Sequence, residues 1–231
     1  MATHFTHSTT DYWQQIEAGG DPQRLEPPWR FAYPARLPDA RVLQLPIRQL
    51  INEPDRAVAS LLLNQAALPV AETLCSMLVD QLAGCPADAV LGLPTQGLPL
   101  AAGVARAMGH SRFVPTSYTR KFWYDQALSA PVRSTSTPAP GKRIYLDPHQ
   151  LVLVHGKRVI LVDDAISSGA TLASAWDLLE SLGAEVVACA VLMRQGRRWA
   201  DRLGPGRNAL LQHVLDSPLL QAVAGGWVAR H

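Results

Sequence analysis

Val159-Ile160-Leu161-Val162-Asp163-Asp164-Ala165-Ile166-Ser167-Ser168-Gly169-Ala170-Thr171 is a strand running into a loop and then a helix. Four consecutive apolar residues, Val159 to Val162, have the character of a strand buried on both faces, and they stop at two adjacent carboxylates. Beyond the small, hydroxyl-rich turn, Leu172, Ala175, Trp176, Leu179 and Leu182 recur at helical spacing until Gly183 ends the run. In a parallel α/β sheet the crevice at the carboxyl ends of the strands is where ligands sit, and a helix starting there points its N–H groups and positive dipole end outward. An anion is the natural guest. Ser167, Ser168 and Thr171 add hydroxyl donors, and Gly169 lets a phosphate approach the backbone with no Cβ in the way. Asp163 and Asp164 would repel that phosphate unless they faced sugar hydroxyls or a hydrated Mg²⁺.

A second unit of the same kind lies upstream. Ala89 to Leu93 makes a buried strand that runs into Pro94-Thr95-Gln96-Gly97, followed by a helix with Leu98, Ala101, Ala105 and Met108 inward and Gly109 at its end. Two such units in parallel would set the loops side by side, where the backbone of the first could hold a second anion.

Apolar strand, Asp-Asp, two variable residues, two small or hydroxyl residues, Gly, any residue, Thr: this pattern, filled at every position, resembles the phosphoribosyl pyrophosphate (PRPP) signature of type I phosphoribosyltransferases. The resemblance covers roughly residues 89 to 193. It implies an α/β fold, a parallel sheet flanked by helices with a small variable hood. Asp163 and Asp164 would hold the ribose hydroxyls and face the charge that develops at the anomeric carbon. Ala165, Ser167, Ser168, Gly169, Ala170 and Thr171 would bind the 5′-phosphate, and Thr95, Gln96 and Gly97 the pyrophosphate. No direct protein ligand to a metal is implied; Mg²⁺ would be the cofactor, arriving with PRPP and meeting Asp163 and Asp164 through water. Thr116 to Gln150 has no clean period and carries a Ser-Thr-Ser-Thr-Pro-Ala-Pro-Gly run. Near its start, Arg120 and Lys121 resemble the opening of the mobile catalytic loop of orotate-type enzymes, where such a pair meets the pyrophosphate; Arg133, Lys142 and Arg143 are further candidate phosphate contacts. Glu185 to Met193 is another parallel strand, and Arg194 and Trp199 leave the edge where related enzymes position the base, either to stack on it or simply as an Arg-rich turn with a packed tryptophan.

The 231 residues are 48% apolar and 17% charged with a net charge of +2, enough to bury a full core and too little charge to imply nucleic acid. No run of eighteen apolar residues occurs and the first residues lack a signal-peptide pattern, so a soluble, cytoplasmic protein with no membrane partner is expected. Its three cysteines, Cys75, Cys85 and Cys189, are spaced unlike a zinc or redox site. In chain order, residues 1–30 form an N-terminal extension without clear period. Residues 31–50 suggest a hairpin, a candidate hood or a strand pair packed on the core edge. The core is placed at 51–203 with a mobile loop at 116–150, and 204–231 is an unassigned tail. Within that core, Asn52 to Asp55 resembles a helix start with Val58, Leu61 and Leu62 on its apolar face, a helix that Pro69 would break or kink. Arg112 to Pro115 makes a short strand.

The partners implied by the resemblance are PRPP, a nucleobase and a second copy of the chain in a homodimer. Hypoxanthine and guanine enzymes typically carry a carboxylate three residues after the Asp-Asp pair, where this chain has Ser167, so adenine-, xanthine- or orotate-like acceptors are favoured. The alternative is a PRPP- or nucleotide-sensing regulator using a basic face built from Arg194, Arg197, Arg198, Arg202 and Arg207. A dinucleotide-dependent oxidoreductase lacks its G-x-G-x-x-G after a strand.

Overall fold

A computed structural model describes residues 12–19, 25–132 and 142–230. Two sheets share the chain. The larger has seven strands: β4 (Ala89–Gly92), β5 (Val114–Ser117), β8 (Arg158–Ile166), β9 (Glu185–Gln195) and β10 (Leu211–Ser217) run parallel, and β7 (Arg143–Leu146) and β6 (Ser129–Pro131) add antiparallel at one edge, in the order β10-β9-β8-β4-β5-β7-β6. β8 sits at the centre of the five parallel strands, and its alternate side chains serve two cores. Ile160 and Val162 join Val90, Ala188 and Ala190 under α1 (Leu68–Gln81) and α2 (Gly97–Ala107); Val159 and Leu161 join Val191 and Cys189 under α3 (Ala170–Ser181) and α4 (Arg198–Asn208, broken at Gly204). A strand apolar on both faces demands a helical layer on each side, and the flanking periodicities supply both.

The smaller sheet is five-stranded and antiparallel: β1 (Ala32–Arg36), β2 (Val42–Leu50), β3 (Glu53–Ala59), β11 (Leu219–Val223) and β12 (Gly226–Arg230), in that order, packed around Ile47, Ala57, Leu220 and Trp227. β1 and β2 are the hairpin expected over 31–50. The third strand corrects the helix expected from Asn52. Ala57 and Ala59 are buried in alternation, and β3 pairs with β2 on one side and β11 on the other, so tertiary pairing overrides a helix-start composition. Pro69 correspondingly breaks nothing: it lies in the first turn of α1, where its missing N–H is harmless. The 204–231 segment supplies β10 to the large sheet and two strands to the small one.

Residues 116–150 are not one long lid. Thr116 and Ser117 finish β5, and β7 pairs with it, burying Ile144 and Leu146 completely. A loop from Tyr118 to Leu128, with a short 3-10 turn, leaves the sheet between them; 133–141, Arg133 among them, lie outside the described residues. The strands escape detection because three or four residues are too few to establish a period. All three cysteines are free thiols, and burial raises each thiol above its ordinary range. Among the described residues no helix is long and apolar enough to cross a membrane.

Candidate active site

β8 continues through the carboxylates rather than ending at them, so Asp163 lies inside the strand and is only 7% exposed. Asp164 is half-buried, and its backbone N–H donates to Asp163 Oδ1 at 3.0 Å. Burial, reinforced by the neighbouring Asp164, pushes the Asp163 carboxyl well above the usual carboxylate range; burial also raises Asp164. Two carboxyls this close titrate as one unit, and burial holds both above the ordinary carboxylate range. Lys142 pulls in the opposite direction on Asp163, from just before β7, with its ammonium 3.9 Å from the centre of the Tyr118 ring. Among the described candidate phosphate cations, Lys142 is therefore the one tied electrostatically to Asp163. Arg143 is engaged elsewhere, holding Ser129 through Oγ and the backbone carbonyl across the β6–β7 ladder.

The Ser167-Ser168-Gly169 turn delivers the chain from β8 into α3. Ser167 and Ser168 are exposed, Ala170 is buried, and Ser168 Oγ accepts from the Ala170 N–H at 3.3 Å. Gly169 caps α3 with φ of +74°, a left-handed conformation that favours glycine, so the capping residue itself brings no side-chain hydrogen bond to the first turn, where Ser168 Oγ takes the Ala170 N–H instead. That turn, Ala170 and Thr171 included, lies at the positive dipole end of α3 beside two serine hydroxyls, features that a phosphate site uses.

The second loop lies against the first. Leu93 N–H donates to Val162 O at 2.9 Å, and a Cβ placed on Gly97 would fall 2.9 Å from Asp163 Cα, Asp163 Oδ1 and Val162 O alike. Thr95 is exposed, following a cis peptide bond after Pro94. Gln96 accepts the Asn64 N–H through Oε1 at 3.0 Å, and at the end of β9 Gln195 Nε2 donates to Ala59 O at 2.8 Å. These two contacts tie the large sheet's ligand edge to the segment leaving β3. No local sequence signal marks them, because the partners are 32 and 136 residues apart.

Four of the candidates, Arg120, Lys121, Trp199 and Arg194, are not brought to this centre. Arg120 donates to Tyr124 O within its own loop, the Tyr124 N–H closes the turn on Lys121 O, and both cations are exposed with no described hydrogen bond or ion pair to Asp163 or Asp164. Trp199 is 8% exposed, packed in the α3–α4 core with its indole N–H given to Gly196 O at 2.9 Å. It offers no free face to a ring, which corrects the stacking role. Arg194 lies over that indole and forms a two-bond ion pair with Asp216, at 2.7 and 2.9 Å. An isolated basic face is not what it builds.

Adjacent carboxylates are oxygen ligands of the kind a divalent cation takes, and among the described residues no three His, Cys, Asp or Glu side chains converge into a metal site.

The phosphoribosyl transferase domain model matches residues 57–207. The chain is 36% identical over 154 residues to an adenine phosphoribosyltransferase of Nocardioides sp., covering 66% of this chain and 76% of that protein. It is 35% identical over 141 residues to the enzyme of the same name from Cutibacterium acnes, covering 59% and 75%. The fold is shared with the Giardia lamblia enzyme solved with 9-deazaadenine, at a TM-score of 0.60 and 20% identity over 74% of this chain and 93% of that one. The Rhodothermus marinus adenine phosphoribosyltransferase superposes with a TM-score of 0.58, again at 20% identity and the same coverage. With its Asp-Asp strand, its anion-cradling turn and these relatives, the chain belongs to the phosphoribosyltransferase family, PRPP-dependent pentosyltransferases of type I fold.

Proposed function

We propose that the protein transfers ribose 5-phosphate from PRPP to adenine and releases pyrophosphate. The observation that carries this is the meeting of three features at one edge: the turn at the head of α3, the buried Asp163 with Asp164 beside it, and the 94–97 loop, whose Gly97 comes so close that a Cβ on it would fall 2.9 Å from Asp163 Oδ1. A phosphate at the first, a ribose over the second and a pyrophosphate at the third would follow the order of these groups in one PRPP molecule. The acceptor is supported by the name its relatives carry, adenine phosphoribosyltransferase, which speaks against the regulatory reading. It is also supported by Ser167, exposed where a 6-oxopurine enzyme typically has a carboxylate.

In the reaction a ring nitrogen of the base bonds to the anomeric carbon as the bond from that carbon to pyrophosphate oxygen breaks, and the nitrogen's proton leaves. Asp163 and Asp164 hold the ribose hydroxyls and stabilise positive charge building on the sugar, an interaction stronger in the transition state than in the ground state. Mg²⁺ bound with PRPP supplies charge neutralisation for the leaving pyrophosphate, and the two carboxylates would meet it through water. Lys142 is placed to oppose the negative charge of the pair when both carboxylates ionise. The five-stranded sheet serves as the hood. A cytoplasmic homodimer is the setting this reading implies.

A nucleobase panel with PRPP and Mg²⁺, read as pyrophosphate release, tests the proposal. Adenine should be turned over, with hypoxanthine and guanine poor, because a serine hydroxyl is a far weaker base than a carboxylate for the N7 proton. Hypoxanthine or guanine as best substrate, with adenine inert, would overturn the acceptor; no turnover of any base would overturn the enzyme. The loop cations give a second measurement. If Arg120 and Lys121 swing in over the pyrophosphate, Lys121→Ala should lower kcat by about 100-fold, as loss of a single transition-state contact does, with a much smaller change in KM for PRPP. Equal kcat with a raised KM would mark a ground-state contact instead.

A further inference from the structure

We propose that Trp199 is a positioning residue that braces the 5′-phosphate loop from behind and, through the turn that precedes it, connects that loop to the five-stranded sheet. The inference rests on the PRPP reading of the Ser167–Thr171 turn. Gly169 stands with its backbone directly on the first turn of α4: a Cβ at Gly169 would lie 3.2 Å from Trp199 Cα and 3.3 Å from both Trp199 Cβ and Arg202 Cβ. The loop is thus pressed against a helix, with solvent on its serine side only.

Trp199 is itself held on several sides. Its ring packs in the cluster containing Ile166, Leu172 and Ala173, the residues just before and after the phosphate loop. Its N–H is fixed on Gly196 O, and Arg194, locked by the two-bond pair to Asp216, covers the ring at 5.4 Å. Gly196 in turn donates its N–H to Ser217 O at 2.8 Å, and a Cβ there would come within 3.0 Å of Leu219 Cγ on β11. Phosphate loop, Trp199, Gly196 and Leu219 therefore form one continuous packed path from the substrate edge to the small sheet. Close-packed interiors transmit displacement rather than absorb it, and phosphate recognition by backbone N–H groups tolerates little misplacement. The atoms nearest Gly169 are Trp199 Cα and Cβ, which any residue other than glycine keeps; what a smaller side chain at 199 removes is the ring's filling of the cluster on either side of the loop, so the α4 turn should sink into the space and let the loop settle backward, away from the 5′-phosphate.

The test uses two probes that separate the ends of PRPP. In the Trp199→Leu protein, ribose 5-phosphate measured by calorimetry should bind about 10-fold more weakly, roughly 1.4 kcal/mol, while pyrophosphate affinity stays within about 2-fold of the parent. KM for PRPP should rise in parallel with the ribose 5-phosphate loss, more than kcat falls. Trp199→Phe keeps the aromatic body without the N–H and should lie between the two; it carries the test alone should Trp199→Leu fail to fold. Unchanged ribose 5-phosphate binding in either variant would overturn the brace, and so would equal weakening of both probes, which is what general loosening of the fold produces. A parent protein that binds no ribose 5-phosphate would overturn the PRPP reading of the loop itself, a result distinct from the other two.

Discussion

Asp163→Asn combined with Asp164→Asn is expected to lower PRPP turnover by about 1,000-fold or more, as removal of groups acting as a unit on the transition state does, while leaving a protein that is more stable at neutral pH than the parent. The stability half of this result follows from the burial of Asp163. Its folded-state pKa is raised because the charged form is disfavoured by burial and by Asp164, so the folded chain keeps a proton that the unfolded chain loses above the ordinary value of 3.8. Stability must then fall as pH rises from that value through the raised folded pKa, and remain lowered above it. Asparagine keeps an oxygen to accept the N–H of residue 164 but carries no charge. The melting temperature should therefore rise at pH 8, by about 3 °C for each kcal/mol relieved, and show little gain at pH 4. Thermal melts at the two pH values decide it: an equal gain at both, or a loss at pH 8, would show that the carboxylate pair is not strained by its own charge. Retained turnover would remove the pair from the chemistry altogether. A pair that costs stability in the free protein and is indispensable in the complex is what a site built for a cation-bearing, polyol substrate requires.

Gly97→Ala should damage catalysis far out of proportion to the single methyl it adds. The added carbon would meet Asp163 Cα, Asp163 Oδ1 and Val162 O at 2.9 Å, and those atoms belong to the central strand, pinned by β4 on one side and β9 on the other. Since β8 cannot yield, the head of α2 and the 94–97 loop must move away from the aspartates. We expect kcat/KM to fall by about 100-fold, the cost of a displacement near 1 Å at a reacting centre. Overpacking should cost about 1–3 kcal/mol of stability in addition. Gly103→Ala is the informative control. It is just as tight, 2.8 Å from Cys75 Sγ, but it sits farther along α2 and its obstacle is a side chain. A similar stability loss with near-parental kcat/KM is expected there. If both alanines reduced catalysis equally, the close approach of the two loops would have no special role.

The residues that could be read without a structure are those whose chemistry is contiguous. Val159 to Thr171 specify strand, acid pair, glycine turn and helix within thirteen positions, and Ala89 to Gly97 do so again, because buried strands and helix starts are written in local periodicity. Tertiary structure decided the rest. Glu53–Ala59 has the composition of a helix start and becomes a strand because β11, more than 160 residues later, pairs with it; Gln221 reaches Asp55 across 166 residues. From the sequence Trp199 could have faced a base, although a packed tryptophan is the commoner outcome, and in the fold, with α4 against Gly169, it is turned inward. Lys142 was one of several scattered cations until β7 paired with β5 and set it in the field of Asp163. Local sequence fixes which element a segment can form, whereas partners far along the chain fix where its side chains point, because only burial and pairing in the assembled fold distinguish one face of an element from the other.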